Sequence, residues 1–387
     1  MSVMLLSARL AWRQLRSERA RLASAIAGVM FACVLVFMQL GFRGALFDSA
    51  TKLPQAMQGE LFLVNPLNNA LFRPEPLPRV RAFQTLADPD VLFAAPVYLA
   101  QASWRHPHTG EHRVIQLVGF DTDSGAMAFP GLAALTQDLK RPDTIAFDSL
   151  SRPEFGPIPA MLAEGQAVRA EIGNREVEVV GTIVLGASFG ADGNAVMNEV
   201  NFRRLMKDRP AAKADLVALR LREGADPAAV QARLRALLPK DVVVVTHDQL
   251  VAWEREHWET RTPIGFIFSF GSMMGLVVGM VIVYQILFAD IASHLSEYAT
   301  LKAMGYSGGY LARVVLSAAA ILAVLGFIPG TIACFGLYDV VGKATLLPMH
   351  MELERSLTVF VLVFAMCAAA GLLAMRKLRD ADPADMF

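Results

Sequence analysis

The sequence predicts an α-helical membrane domain of four transmembrane helices joined to an external domain, mixed α/β in one part and β-rich in the other. Two observations carry this. Four long blocks, Leu22–Leu40, Ile264–Phe288, Val314–Tyr338 and Leu357–Met375, contain no charged residue. Between the first and second lies a long polar stretch, residues 47–262, broken into short apolar runs. Apolar residues make up 54% of the 387 residues but gather in the four blocks. Blocks of about 19–25 residues span roughly 28–37 Å as helices, enough for a hydrocarbon core of ~30 Å.

Taken in order, residues 1–21 read as a cytoplasmic interfacial helix. Arg9, Arg13 and Arg16 form a helical stripe with Leu6 and Leu10 beside it, the pattern of a helix lying on a membrane surface. The first transmembrane helix covers 22–46. Its apolar core exceeds the roughly 7–15 residues of a cleavable signal. It runs to Gln39 and Leu40 without a small-residue cleavage site, so an uncleaved anchor is expected. The external domain with its stalk occupies 47–262. The second transmembrane helix covers 263–288, and a cytoplasmic helix follows over 289–310. A third covers 311–338, where Pro329–Gly330 is expected to introduce a kink. A short external loop over 339–355 leads to the fourth at 356–375 and a cytoplasmic tail at 376–387.

Charge sets the orientation. Arg9, Arg13, Arg16, Arg19 and Arg21 precede the first block against one acid, Glu18. Lys302 and Arg313 lie in the second connection, and Arg376, Lys377 and Arg379 follow the last block. Basic residues accumulate on the cytoplasmic side of membrane proteins. Both termini are therefore expected inside and 47–262 outside.

Within the external domain, strands are expected over 60–65, 91–104, 113–120, 167–172, 175–186, 215–222 and 241–247. Residues 175–184 alternate charged and apolar side chains, as a half-buried strand does. Gly173–Asn174 supplies a two-residue hairpin turn before them. A helix over 227–238 begins after Asp226, a suitable N-cap. The β–α–β order of 215–247 gives the mixed α/β part. The polar run 248–261 is expected to continue the second transmembrane helix outward as a stalk. Cys33, Cys334 and Cys367 all fall in the apolar blocks. The external domain therefore has no disulfide of its own, and its size lets it bury enough surface without one.

Residues 281–306 are the most informative stretch. An apolar block runs without a turn into an amphipathic segment, where Ile291, Leu295, Tyr298 and Leu301 recur at helical spacing. Asp290, His294 and Glu297 lie on the neighbouring polar stripe, and Gly305 is a C-terminal stop. A helix of this kind just outside the bilayer suits docking into another protein's cleft. In the preceding block, Gly271, Gly275 and Gly279 stand four apart, which lets two helix backbones approach closely. The row serves either packing within one chain or a homodimer interface.

Several chemistries are excluded. Gly342–Lys343 is followed by Ala344 with no glycine five residues before Gly342, so no phosphate-cradling loop is present and any ATP must be held by another chain. His106, His108 and His112, with Glu111, are the one cluster of zinc or copper ligand types. They fall between two strands where Pro107 and Thr109–Gly110 supply turn chemistry, so a solvated hairpin tip is expected and no metal site. Asp121, Asp123, Asp148, Glu154 and Asp192 form no spaced catalytic pair. Residues 186–190 resemble a nucleophile elbow only loosely, so no catalytic residue is assigned. The cores of the four blocks hold no ionisable residue, which argues against a proton- or sodium-coupled carrier. Basic and acidic residues balance at 36 each, which gives no footprint for nucleic acid.

With these residues laid out, the chain resembles ABC-transporter permeases of the FtsX/MacB type, most closely the DevC subgroup. The segment VYQILFADIASHLSEYATLKAMGY, 283–306, carries the resemblance best, since EYATLKAMG matches an E-x-x-TLKA-x-G signature. The tail at 378–387, residues 10–50, Trp104 with Pro107, Thr109–Gly110 and Gly119-Phe-Asp121, and the blocks 147–156 and 179–205 are similar as well. The resemblance implies a MacB-like external domain. It also implies that Glu297, Tyr298, Thr300, Leu301, Lys302, Met304 and Gly305 dock onto a separate ABC ATPase. That ATPase would hold the ATP and Mg, with no cofactor on this chain. It further implies a homodimer in the bacterial inner membrane, a periplasmic adaptor (membrane fusion protein) and a TolC-like outer-membrane channel. The cargo would be a glycolipid, as in DevC-type members, or another periplasmic molecule. The alternative is an FtsX-like regulator that switches on a periplasmic cell-wall hydrolase.

Overall fold

The computed structural model describes residues 9–13, 16, 18–293, 304 and 308–379. The chain divides into a helical unit, Met1–Ala45 with Ile264–Ala344 and Met349–Phe387, and an external domain, Leu46–Pro263 with Thr345–Pro348.

Residues 9–13 and 16 are helical, with Arg9, Arg13 and Arg16 exposed and Ala11 buried. Helix α1 (Arg19–Ala56) carries the first apolar block and runs on well past the expected end at residue 46. Its last turns are polar and hold their hydroxyls against their own backbone. Ser49 Oγ donates to Leu46 O at 2.8 Å and Thr51 Oγ1 to Phe47 O at 3.0 Å.

The external domain continues as β1 (Leu61–Val64), α2 (Val80–Thr85), β2 (Val91–Arg105), β3 (His112–Phe120), β4 (Thr144–Asp148), β5 (Val168–Ile172), β6 (Arg175–Ile183), β7 (Asn194–Asn198), α3 (Glu199–Leu205), β8 (Leu216–Leu221), α4 (Pro227–Leu237), β9 (Val243–Thr246) and α5 (His247–Glu256). The strands form one sheet in the order β9-β1-β8-β2-β3-β7-β4-β6-β5, and β2 also pairs with β5.

That extra pairing divides the domain in two. Strands β1, β2, β8 and β9 with α2 and α4 make a β-α-β-β-α-β unit whose neighbouring strands are all antiparallel, the split ferredoxin-like arrangement. The expected β–α–β of 215–247 is present, but β1 lies between β8 and β9. Val230 and Leu234 of α4 pack on Leu61, Leu63, Leu219 and Val244. The Asp226 side chain caps α4 by accepting from Ala228 N at 3.0 Å.

The second part is inserted between β2 and β8. The far half of β2 pairs with β3, and its end, Trp104 and Arg105, pairs with Ile172 and Glu171 of β5. The ring β2-β3-β7-β4-β6-β5 therefore closes on itself and leaves no open edge. Its filling includes Trp104, Ile115, Leu117, Phe147, Phe155 and Ile172. The buried indole of Trp104 donates to Phe155 O at 3.2 Å, which satisfies its N–H. Gly173 takes the hairpin turn with φ +60°, and Ile172 faces Arg175 in register.

Strands β4 and β7 are absent from the sequence reading for a physical reason. All five residues of each are buried, so neither alternates. Strand β6 stops at Ile183, short of the expected 186.

After α5, residues His257–Arg261 form a π-turn, and α6 (Pro263–Ser293) begins anew. The stalk is thus not one helix with the second apolar helix. Thr262 is extended, at φ −112° and ψ 155°. A proline disfavours the helical conformation in the residue before it. Helices α7 (Gly308–Thr345) and α8 (Leu353–Arg379) complete the chain, and α7 continues through Pro329. Helices α1, α6, α7 and α8 are each long and apolar enough to cross a membrane.

Candidate functional site

Within the helical unit, α1 is the common partner. Along it, Gly28 meets Ile282, Ala32 meets Gly279, Leu35 and Val36 meet Gly275, and Gln39 meets Gly271. Partner numbers fall as α1 numbers rise, so α1 and α6 run antiparallel. A Cβ at Gly279 would lie 2.5 Å from Ala32 Cβ and 2.6 Å from Met366 Sδ. The glycine row therefore packs inside one chain, and α1 fills the space that a second copy would need. On its other side α1 runs parallel to α7, with Val29 at Gly326, Cys33 at Gly330, and Tyr338 Oη donating to Phe37 O at 2.5 Å.

The stems of the second connection end in this same core. Val283, Leu287 and Ile291 of α6 are buried, as are Tyr310 and Val314 of α7, and all belong to one cluster with α1. Asp290 departs from expectation. It is 5% exposed, because 283, 287, 290 and 291 share one helical face. Arg21 Nη1 of α1 donates to Ser293 Oγ at 2.8 Å, next to its ion pair with Glu18. Of the residues assigned to coupling, Met304 is described and is 63% exposed. Glu297, Tyr298, Thr300, Leu301, Lys302 and Gly305 lie outside the described residues, as do His294 and Leu295.

The His106–His112 segment is the tip of the β2–β3 hairpin. His106 Nδ1 accepts from His108 N at 3.1 Å and Thr109 N at 3.0 Å, and His112 Nδ1 pairs with Ser103 Oγ at 3.0 Å. Among the described residues, no three histidine, cysteine or carboxylate side chains converge on one point.

A cavity of about 30 Å³ with polar and apolar walls lies within the external domain, and sequence reasoning did not find it. Its wall takes Lys52 from α1, Gln116 from β3, Gly186 from the β6–β7 connection, Asn194 from the start of β7, and Glu254 and Trp258 from α5 and the π-turn. Gln116 faces it because its neighbours Ile115 and Leu117 point into the ring. Trp258 sits between Phe72 and Phe189, each ring centroid 5.4 Å away.

Two buried carboxyl groups flank the cavity. Asp148 is fully buried and accepts from Leu150 N, Leu185 N, Gly186 N and Asn194 Nδ2 at 2.8–3.1 Å. Glu254 is 4% exposed and accepts from Leu71 N at 2.8 Å and Trp258 Nε1 at 2.9 Å. Burial pushes the Glu254 carboxyl up to about 7, the two hydrogen bonds opposing it. The Gln116 amide is 2% exposed, with neither its nitrogen nor its oxygen partnered. Such an orphan costs about 1–3 kcal/mol.

Gly186, Ser188 and Gly190 do stand at nucleophile-elbow spacing. The fold separates them from a hydrolase, because the segment joins strand β6 to strand β7 and an elbow joins a strand to a helix. Ser188 Oγ accepts from Ala191 N at 3.1 Å, and no histidine lines the cavity.

Residues 22–237, more than half of the chain, match the family described as the MacB-like periplasmic core domain. Residues 269–383 match the FtsX-like permease C-terminal family. No curated protein matches the sequence. Among solved structures, the periplasmic region of MacB from Actinobacillus actinomycetemcomitans is 8% identical. The match covers 51% of this chain and 92% of that one, with a TM-score of 0.37. The extracellular domain of the ABC-type transporter YknZ from Gram-positive bacteria is 12% identical. That match covers 48% of this chain and 99% of the other, with a TM-score of 0.33.

Proposed function

We propose a transport role from one premise: the chain belongs to the family of permeases that join a MacB-like periplasmic core domain to an FtsX-like C-terminal region. Permeases of this type are non-catalytic membrane components that work with an ABC ATPase. In our reading the chain is the membrane subunit of a DevC-type exporter in the bacterial inner membrane. Both termini and the 289–310 connection face the cytoplasm, and the large domain faces the periplasm.

The observation that supports this most is the placing of the second connection. It carries the E-x-x-TLKA-x-G letters at 297–305, and its two stems, at Ile291 and Tyr310, are buried in one core with α1. A push on the connection would be delivered to a close-packed core, which transmits displacement because it has few voids to absorb it. ATP and Mg belong to the partner ATPase. A periplasmic adaptor and a TolC-like outer-membrane channel would complete the path for a glycolipid or another periplasmic cargo. A second copy of the chain would meet a face of α6 other than the glycine row, such as the exposed Phe266, Phe270, Met273 and Val277.

Affinity purification of the tagged chain in mild detergent, with mass-spectrometric identification of the co-purifying proteins, tests this reading. An ATPase, an adaptor and an outer-membrane channel are expected. An ATPase with a cell-wall hydrolase and no adaptor would move the reading to the FtsX-like regulator. No ATPase would sink both. Leu301→Ala and Glu297→Ala should keep membrane insertion and ATPase capture while uncoupling hydrolysis from export. Unchanged export in both would remove the coupling role from this segment.

A further inference from the structure

The cavity beneath the π-turn carries three features that packing leaves unexplained. Gln116 is 2% exposed and aims an amide with two unpartnered atoms into it. Lys52 Nζ lies against Gly186, where a Cβ would come within 2.7 Å of it. Asp148 and Asp48 share its field. Among the described residues it hydrogen-bonds to neither, and Asp148 is already taken by four other donors. Two apolar side chains stand exposed beside the cavity wall. Leu150 is 51% exposed and lies by Gly186, and Phe189 is 55% exposed and lies against Trp258.

We propose that this cavity binds the carboxylate head of a single-chain amphiphile, with Lys52 Nζ and Gln116 Nε2 donating to its oxygens and Leu150 and Phe189 flanking its tail. An ammonium without a hydrogen-bond partner and an unpartnered amide N–H call for an anionic acceptor, and charge-assisted hydrogen bonds are the strong ones. The interior of about 30 Å³ takes roughly two water-sized atoms. That fits the two oxygens of a carboxylate better than the larger head of a phosphate ester. Leu53, Leu71, Leu185 and Phe72 complete the wall and give it an apolar part.

The ionisable groups in the wall are Lys52 from α1 and Glu254 from α5, with Asp148 of β4 behind Gly186 and Asn194, while β3, β7 and the β6–β7 connection contribute neutral amides, hydroxyls and backbone. Glu254 is held by Leu71 N and Trp258 Nε1. A second carboxylate beside it favours the protonated form of Glu254, so the ligand should bind more weakly as pH rises through about 7. The inference concerns binding alone and does not depend on the transport role.

The test is calorimetric titration of the full chain in phosphatidylcholine nanodiscs, with empty discs subtracted. The probes are laurate, dodecyl phosphate, dodecanol and acetate. Laurate should bind at least about tenfold more tightly than each of the others, since one charge-assisted contact is worth about that factor. Lys52→Met should weaken laurate about tenfold or more. Gln116→Leu should weaken it too, yet leave the thermal midpoint equal or higher, because it removes an orphaned amide. That pair of results separates a ligand role from a structural one. Laurate binding equal to dodecanol, or unchanged in both variants, would overturn the proposal. So would the absence of laurate binding up to about 1 mM, the affinity of a weak contact. Tighter dodecyl phosphate binding would reject the carboxylate assignment. None of these outcomes bears on ATPase capture, which tests the transport role separately.

Discussion

In the helical unit, Gly279 lets α6 come so close to α1 that a Cβ there would lie 2.5 Å from Ala32 Cβ. In the external domain, Asp148 is fully buried and held by four donors, and Glu254 is buried and held by two. Lipid gives helices no hydrophobic push toward each other, so small residues and backbone proximity do the work. A water-facing domain can bury carboxyl groups where enough donors converge. The helical unit should therefore be sensitive to side-chain size and indifferent to pH. The external domain should be sensitive to single polar atoms and to pH.

The sharpest test of the polar side is Asp148. Asp148→Ala strands Leu185 N, Gly186 N, Leu150 N and the Asn194 amide, and should cost about 3–5 kcal/mol. Asp148→Asn keeps the shape and should cost about half of that, since one acceptor oxygen remains. Unfolding followed by tryptophan fluorescence reads this domain well, because Trp104, Trp253 and Trp258 lie in it and only Trp12 lies outside. Equal stability of Asp148→Ala and the parent would mean that the four donors find water instead.

Glu254 should make the domain respond to pH. Its folded carboxyl titrates near 7 against an ordinary 4.5, so the folded state holds the proton more tightly than the unfolded one. The stability it gives is fully present below about 4.5, erodes as pH rises, and is lost above about 7, roughly 3 kcal/mol in all. His257 opposes this, because burial and Arg261 hold its imidazole low. Its stability is lost as pH falls below 6.5. The difference between parent and Glu254→Gln isolates the carboxyl. Glu254→Gln should gain in thermal midpoint relative to the parent above pH 7, and this gain should vanish near pH 4.5. A difference that is flat from pH 4.5 to 8 would show that Glu254 is hydrated.

The same contrast governs what the sequence revealed. The four apolar blocks mark α1, α6, α7 and α8 because lipid tolerates no charge on a long exposed face. The glycine row announced close approach, though not the partner. That α1 and not a second chain fills it depends on which face α6 turns inward, and periodicity leaves both choices open. In the external domain, β2, β3, β5, β6 and β8 were readable from alternation or β-rich composition. Fully buried β4 and β7 were not, and the closure of β2 on β5 is a long-range pairing with no local signal. The cavity was hidden for a related reason. Lys52, Gln116 and Glu254 are far apart in the chain, and Glu254 sits in a helix that reads as an exposed polar stalk. The letters of the family's C-terminal motif were plain, yet most of the segment that bears them lies outside the described residues.

The size-sensitive side is tested by two glycines of the helical unit. Gly279 has Ala32 Cβ and Met366 Sδ where a side chain would go, whereas Gly336 of α7 has no atom within 4 Å of its Cβ position. Gly279→Leu should overpack the α1–α6–α8 contact and cost about 1–3 kcal/mol or more. It would be seen as loss of the monodisperse peak on detergent size-exclusion chromatography. Gly336→Leu adds an apolar side chain to an open, already apolar surface and should leave the protein within about 0.5 kcal/mol of the parent, with its peak unchanged. Neither change should depend on pH, because the atoms nearest Gly279 belong to Ala32 and Met366 and none lies within 4 Å at Gly336. If Gly336→Leu disrupts the protein as strongly as Gly279→Leu, the open side of α7 is occupied in the membrane. A contact surface would then lie on α7. If both are silent, close approach is not what holds α6 to α1, and the comparison fails on its helical side.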